Sequence, residues 1–176
     1  KKIFKKFKLE VLSLGDLDIN DEPIENGKTF EENAMIKSDY GFNKTGFPCF
    51  ADDSGICIES LNWKPGVLSK RFLKNFKSNK ACFKSIIEGS KKNSKQNAYF
   101  KTSISFTFKS NLNVIFNGKI DGKISKQAKG EFGFGYDPIF IPDNYNKTLA
   151  QLTAIEKNEI SHRSIAVTKL INFLTN

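Results

Sequence analysis

Two adjacent acids, Asp52 and Asp53, interrupt an apolar stretch, FPCFADDSGICIES. Carboxylates set between hydrophobic runs are costly unless a cation or several hydrogen-bond donors meet them. Successive side chains of an extended segment point to opposite faces. At the end of a strand, one of the two can therefore face a cleft while its neighbour anchors a turn. An Asx-turn or a helix cap would use the same residues for structural ends alone. The chemical alternative is a general base or a hard-cation site, on which Glu25 and Glu32 could converge from upstream. Mg2+ takes a few carboxylates together with substrate phosphate oxygens and needs no all-protein cage.

Two more clusters could carry chemistry. Ser161, His162 and Arg163 open a helix, where the dipole disfavours positive charge. They are either solvated residues at a surface helix start or, with Lys157, a donor cluster for a carbonyl-rich or anionic ligand. In EFGFGYDPIF the glycines allow close backbone approach, and Phe134 and Tyr136 supply flat faces beside Asp137. That loop is either an aromatic corner of the core or a wall on which a base can stack. Together the clusters propose a phosphate-and-metal end and a base-reading end, as a nucleotide-processing enzyme requires.

Other chemistries find little support. Gly130, Gly133 and Gly135 have the wrong spacing for GxGxxG, and there is no Walker-A pattern. Ser54 is not in a GxSxG elbow. The lone His162 and the unpaired Cys49, Cys57 and Cys82, without CxxC spacing, argue against zinc and for reduced thiols in a cytoplasm. The net charge of +9, from 28 Lys+Arg against 19 Asp+Glu, favours anionic partners or marks a Lys-rich solvated surface.

The elements that must position these residues follow from periodicity and punctuation. With 39% hydrophobic residues and 17 Phe in 176 residues, the chain suits one domain or two small lobes sharing a sheet. No apolar run approaches the roughly 18 residues of a membrane span. KKIFKKFKLEVLSL is basic but has no signal-peptide core. It lacks an initiator Met, which reads as a fragment or a processed form. KKIFKKFKLEVL reads as a helix end, with Ile3, Phe4 and Phe7 on one face, running into a strand. TFEENAMIKSDYGFNK is a helix capped by Thr29. FPCFA and GICIES are two short strands, and RFLKNFKSNKACFKSIIEGSKK is one or two helices. NAYFKTSISFTFKS alternates, with Phe100, Ile104, Phe106 and Phe108 on one face and Lys101, Ser103, Ser105 and Thr107 on the other. A hairpin at Ser110 and Asn111 leads into NLNVIFNGKIDGKIS. EISHRSIAVTKLINFL is a helix capped by Ser161, with Ile165, Ala166, Leu170 and Phe173 inward. The class is α/β or α+β around one curved mixed sheet.

The blocks ENGKTFEENAMIK, FADDSGICIESL, KPGVLSKRF, GEFGFGYDPIF and EKNEISHRSIA stand in an order that resembles the inosine-triphosphate pyrophosphatase (Ham1-like) family, over nearly the whole chain. The resemblance implies an elongated α/β fold of two lobes around a long mixed sheet, with flanking helices and the active site in the cleft between the lobes. It implies a homodimer, a Mg2+ requirement, and hydrolysis of inosine, deoxyinosine and xanthosine triphosphates to the monophosphate and pyrophosphate. By position, Asp53 matches the proton acceptor and, with Glu25, the metal site. Ser54 matches a substrate contact and Lys37 a lysine facing the phosphates. Phe134, Gly135, Tyr136 and Asp137 match the base-binding loop, and Lys157, His162 and Arg163 the group that reads the purine edge. Asp52 is expected to support the turn or the metal's water shell. Residues 1–176 are expected to form one two-lobed domain that starts after the family's Ser/Thr-x-Asn-x-x-Lys phosphate loop. Lys70 and Gln151 depart from the family pattern. A catalytically impaired remnant, or a basic nucleic-acid-binding protein, is the rival reading. Otherwise no nucleic-acid or membrane partner is expected, and the expected place is the cytoplasm.

Overall fold

In a computed structural model that describes Phe4 and residues 9–175, the chain runs α1 (Phe30–Thr45), β1 (Cys49–Ile58), β2 (Lys64–Pro65), α2 (Ser69–Lys74), α3 (Asn79–Lys92), β3 (Asn97–Lys109), β4 (Leu112–Ile124), β5 (Phe140–Pro142), α4 (Ala154–Ile160) and α5 (His162–Thr175). Single 3-10 turns link several of them. The architecture is α/β, a sheet flanked by helices. Its strand order is β2-β1-β3-β4-β5. Every described pair is antiparallel, so the expected mixed sheet is not what these strands make. The tight turn at Ser110 and Asn111, where Asn111 takes φ 59°, can join only antiparallel neighbours. Phe4 is helical and its ring stacks on Phe50, but Ile3 and Phe7 lie outside the described residues. Residues 9–13 form no strand, contrary to expectation.

FPCFA and GICIES are one strand. β1 pairs with β3 along its whole length, from Cys49 opposite Thr107 to Ile58 opposite Ala98. Asp52 and Asp53 thus lie within a continuous strand, not at its end, because the long partner strand β3 holds both halves in register. The pleat then sends the two carboxylates to opposite faces of the sheet.

One face is apolar at both ends and polar in the middle. Ile56, Ile58, Phe100 and Ile124 pack with Phe83 and Ile86 of α3 and with Ile139, Phe140 and Leu149. Ile104, Phe106 and Phe116 pack with Phe4 and with Ala166, Leu170 and Ile171 of α5. Ile171 is buried where Phe173 was expected, and Phe173 is 47% exposed. Between the clusters lie Ser54, Thr102 and Gly118, paired across the strands. A Cβ at Gly118 would come within 1.9 Å of the His162 carbonyl oxygen, so the start of α5 rests directly on β4.

The other face carries Asp53, Ser103, Ser105 and Thr107, the last three on the face that alternation sets opposite Phe100. They are buried because α1 lies on them. The helix meets them with small and polar residues: Ser38 Oγ donates to Ser105 Oγ at 2.8 Å, and Thr107 Oγ1 donates to Asp39 Oδ1 at 2.7 Å. The start of α1 is set by a capping box in which Thr29 accepts from the Glu32 N–H and Glu32 accepts from the Thr29 N–H.

Candidate active site

Asp53 is 8% exposed and faces α1. Asn33 and Lys37, one helical turn apart, both reach it. Asn33 Nδ2 donates to Asp53 Oδ2 at 3.2 Å, and Lys37 Nζ donates to Asp53 Oδ1 at 3.4 Å. The same ammonium lies 3.0 Å from Glu25 Oε1. Burial raises the Asp53 pKa above the ordinary carboxylate value. Lys37 and the Asn33 hydrogen bond pull it back, and the Glu25 charge adds to the rise. A carboxylate raised in this way holds a proton more readily than free aspartate, which suits a general base. Glu32 does not join them. Its carboxylate is committed to the helix start, accepting from Lys28 N at 2.5 Å and Thr29 N at 3.2 Å.

Asp52 points the other way and supports neither a turn nor the acidic pair. Ser54 Oγ donates to its Oδ2 at 2.9 Å, and Arg163 Nε stands 3.7 Å from the same oxygen. Ser54 also shares a hydrogen bond with Thr102 Oγ1 at 2.8 Å. Beyond Asp52 and Asp53 the sheet has no described partner: β2 reaches only Cys57 and Ile58. Along this stretch, which has no strand partner on that side among the described residues, Asp52 and Asp53 leave β1 on opposite faces.

The aromatic loop splits its two rings between surface and core. Phe134 is 60% exposed, with Lys157 Nζ 4.6 Å and Arg163 Cζ 4.8 Å from its ring centroid. Tyr136 is 3% exposed, its hydroxyl donates to the Ser69 carbonyl at 2.8 Å, and its ring lies near Phe83. It therefore supplies no flat face for a base, contrary to expectation; it anchors the loop in the core. Asp137 Oδ2 accepts from the Phe134 N–H at 2.8 Å and from the Lys157 ammonium. Gly133, at φ 83°, has no room for a Cβ, which would lie 2.1 Å from that oxygen. Gly135 follows at φ 60°.

His162 corrects another expectation. It is 5% exposed, stacked on Phe100 with centroids 4.8 Å apart, and its buried Nδ1 has no hydrogen-bond partner among the described residues. Burial, then the charges of Arg163 and Lys157, push its pKa down to about 3. The imidazole is therefore neutral at physiological pH and does not offer the two donors of an imidazolium. Its resonances are expected to stay in the neutral form from pH 8 to about pH 4, and an NMR midpoint near 6.5 would contradict this. The unfolded chain takes up the proton first. The stability linked to His162 is therefore fully present above pH ~6.5 and is lost as pH falls from there towards the folded value, a matter of a few kcal/mol.

The Ham1 family sequence profile matches residues 1–173. A relative from Christiangramia forsetii named dITP/XTP pyrophosphatase is 42% identical over 95% of this chain and 87% of its own length. One of the same name from Thermoanaerobacter pseudethanolicus is 40% identical over 99% and 88%. The solved structure of the Staphylococcus aureus Ham1 protein superposes with a TM-score of 0.89 at 34% identity, covering 98% of this chain and 91% of that one. The chain belongs to the Ham1 family.

A Ham1 protein that handles triphosphates would benefit from a divalent cation, and the donor set bears on which one. No group of three or more His, Cys, Asp or Glu converges among the described residues. Glu25 and Asp53 do converge, with the Lys37 ammonium between them, so this spot already stabilises positive charge. Two carboxylates are the hard oxygen donors that Mg2+ takes, and the His and Cys ligands that protein zinc sites mainly draw on are missing from the pair. The three cysteines are free thiols. The two residues expected to depart from the family pattern lie outside these clusters. Lys70 is exposed, and Gln151 closes a capping box by accepting from the Thr148 N–H at 3.1 Å. Sequence reasoning passed over Asn33, and also Arg71, whose Nη2 donates to the Glu25 carbonyl at 3.0 Å. The available signal for Asn33 was its place one turn before Lys37, on the inner face of a helix that after Phe30 otherwise buries small residues.

Proposed function

We propose that this chain hydrolyses deaminated purine nucleoside triphosphates, those of inosine, deoxyinosine and xanthosine, between the α and β phosphates. The products are the nucleoside monophosphate and pyrophosphate. One observation carries the reading: in a Ham1 chain, the Asp53–Lys37–Glu25 cluster and the Phe134–Lys157–Arg163 cluster meet β1 at adjacent residues, Asp53 and Asp52. The names of the relatives support it.

In this reading the triphosphate lies at the Lys37 end and the purine at the Phe134 end. Asp53 orients a water and accepts its proton, which burial favours. Lys37 neutralises phosphate charge, and the Ser54 hydroxyl contacts the substrate. Phe134 stacks on the base; Gly133, Gly135 and Asp137 shape the loop, and Tyr136 holds it to the core. Glu25 and Asp53 would hold Mg2+, which when bound offsets the charge that develops on the leaving pyrophosphate. Phosphoryl transfer asks mainly for positioning and charge neutralisation, which this set supplies. We read the chain as one two-lobed unit, a homodimer of the cytoplasm; no described helix is long and apolar enough to cross a membrane.

Pyrophosphate release over a panel of triphosphates, with and without Mg2+, tests the proposal. Activity is expected on deaminated purines, lost in excess chelator and restored by Mg2+. Full activity in chelator would remove the cation from the mechanism. Salt-sensitive nucleic-acid binding without hydrolysis would support the rival reading.

A further inference from the structure

Asn33 is 3% exposed, and its amide is used at both ends. Nδ2 donates to Asp53 Oδ2 at 3.2 Å, and Oδ1 accepts from the Gly27 N–H at 2.8 Å. Gly27 stands two residues after Glu25, whose carboxylate meets Lys37 at 3.0 Å, and Lys37 meets the second Asp53 oxygen at 3.4 Å. The contacts close a ring: loop backbone, Asn33, Asp53, Lys37, Glu25, and back to the loop. A Cβ at Gly27 would come within 2.6 Å of Asn33 Oδ1, so the loop lies tight against this side chain.

We propose that Asn33 is a positioning residue that ties the Glu25 loop to the Asp53 carboxylate and thereby sets the spacing of the two acids. The inference rests on the functional reading above and adds a residue to it. The chemistry explains the residue type. A backbone N–H requires an acceptor and a carboxylate requires a donor, and one short side chain must serve both. An amide does so with two separate atoms, an oxygen that accepts and a nitrogen that donates, which lets it span the gap between the loop and the strand. Aspartate would set a second carboxylate against Asp53, and an aliphatic residue would leave both buried partners unmatched. Lys37 cannot replace it, because Lys37 holds the acids through their charge and leaves the loop backbone free.

Asn33→Ala tests this, with Ser38→Ala as comparator. Ser38 is buried on the same helix, and its hydroxyl bonds the Met35 carbonyl, Ser105 and Thr107 rather than a member of the ring. Three quantities are measured: turnover, the Mg2+ concentration for half-maximal activity, and the melting shift that Mn2+ causes without substrate. Asn33→Ala is expected to fold, to need about tenfold or more Mg2+, and to lose most of the Mn2+ shift, the scale seen when groups that orient metal ligands are removed. In a Glu25→Gln background the same change should add less than about twofold, because the ring is already open. The role is overturned if the cation requirement is unchanged, if Ser38→Ala raises it equally, or if the loss in the Glu25→Gln background is full. Should Asn33→Ala not fold, wild type decides: the Asn33 side-chain amide resonance must move when Mg2+ is added, and a resonance that stays still overturns the role. Failure of the functional reading looks different, since wild type would then hydrolyse none of the deaminated triphosphates. A wild type that does so, beside an Asn33→Ala protein that matches it, sinks the Asn33 role alone.

Discussion

Asp53→Asn is expected to leave a folded protein with almost no turnover. The substitution keeps the shape of a side chain that is 8% exposed, so no cavity opens beside Asn33 and Lys37. Burial already works against the charge at this position, as the raised pKa records, so removing the charge is no large loss to the fold. Its chemistry disappears, because an amide accepts no proton from water at neutral pH. Loss of a general base typically costs about 10²–10⁴-fold, roughly 3–5 kcal/mol of transition-state stabilisation. The loss is greater if a carboxylate that holds Mg2+ goes with it. Single-turnover kinetics with inosine triphosphate, beside a thermal melt, separate the two effects. A variant within about threefold of wild-type turnover would take Asp53 out of the mechanism.

The helix Phe30–Thr45 and the hairpin at Asn111 were legible because their signals are local: the N-cap Thr29 in the first, alternation and a turn residue in the second. The shared face of Ser103, Ser105 and Thr107 was legible, but its burial was not, for a physical reason. Alternation reports which side chains are polar, but a helix that brings its own Ser38 and Asp39 can bury hydroxyls at little cost. Asp52 and Asp53 were misplaced at a strand end because two charges look like a terminus. Their tolerance within a strand depends on Arg163, 111 positions away, and on Asn33 and Lys37. Tyr136 and His162 look like ligand-facing groups by type, and only burial shows that one is an anchor and the other neutral. The residue types of the cluster could be read from the motifs. The ring through Asn33 could not, since its closure depends on the spacing between a loop and a strand that only folding creates.

Wild type is expected to reject adenosine triphosphate strongly while accepting inosine triphosphate. Inosine and xanthosine carry a carbonyl at the purine 6-position, where adenosine carries an amino group. Phe134 cannot make this distinction, because stacking treats every purine alike. The cations beside its ring can. Lys157 and Arg163 lie 4.6 Å and 4.8 Å from the Phe134 centroid, so a purine on that ring comes within their reach. Both side chains offer donors only. One Lys157 donor is held by Asp137, which fixes the ammonium in place, and Asp52 stands 3.7 Å from the Arg163 Nε. Neutral His162 adds at most one donor, so the discrimination falls on the lysine and the arginine. Against a carbonyl they pair; against an amino group, donor meets donor and both sides are left unmatched. Sites built on specific hydrogen bonds can reject a mismatched analogue by about 10⁴–10⁵-fold. Guanosine also presents a 6-carbonyl, so these donors alone exclude it less, and weaker rejection of guanosine triphosphate is expected. Arg163→Ala should erode the preference for inosine over adenosine, mainly by slowing the inosine reaction, with kcat/KM for both substrates as the measure. Equal hydrolysis of adenosine and inosine triphosphates by wild type would refute the donor-edge reading of Lys157 and Arg163, and it would leave the chemistry assigned to Asp53 untouched.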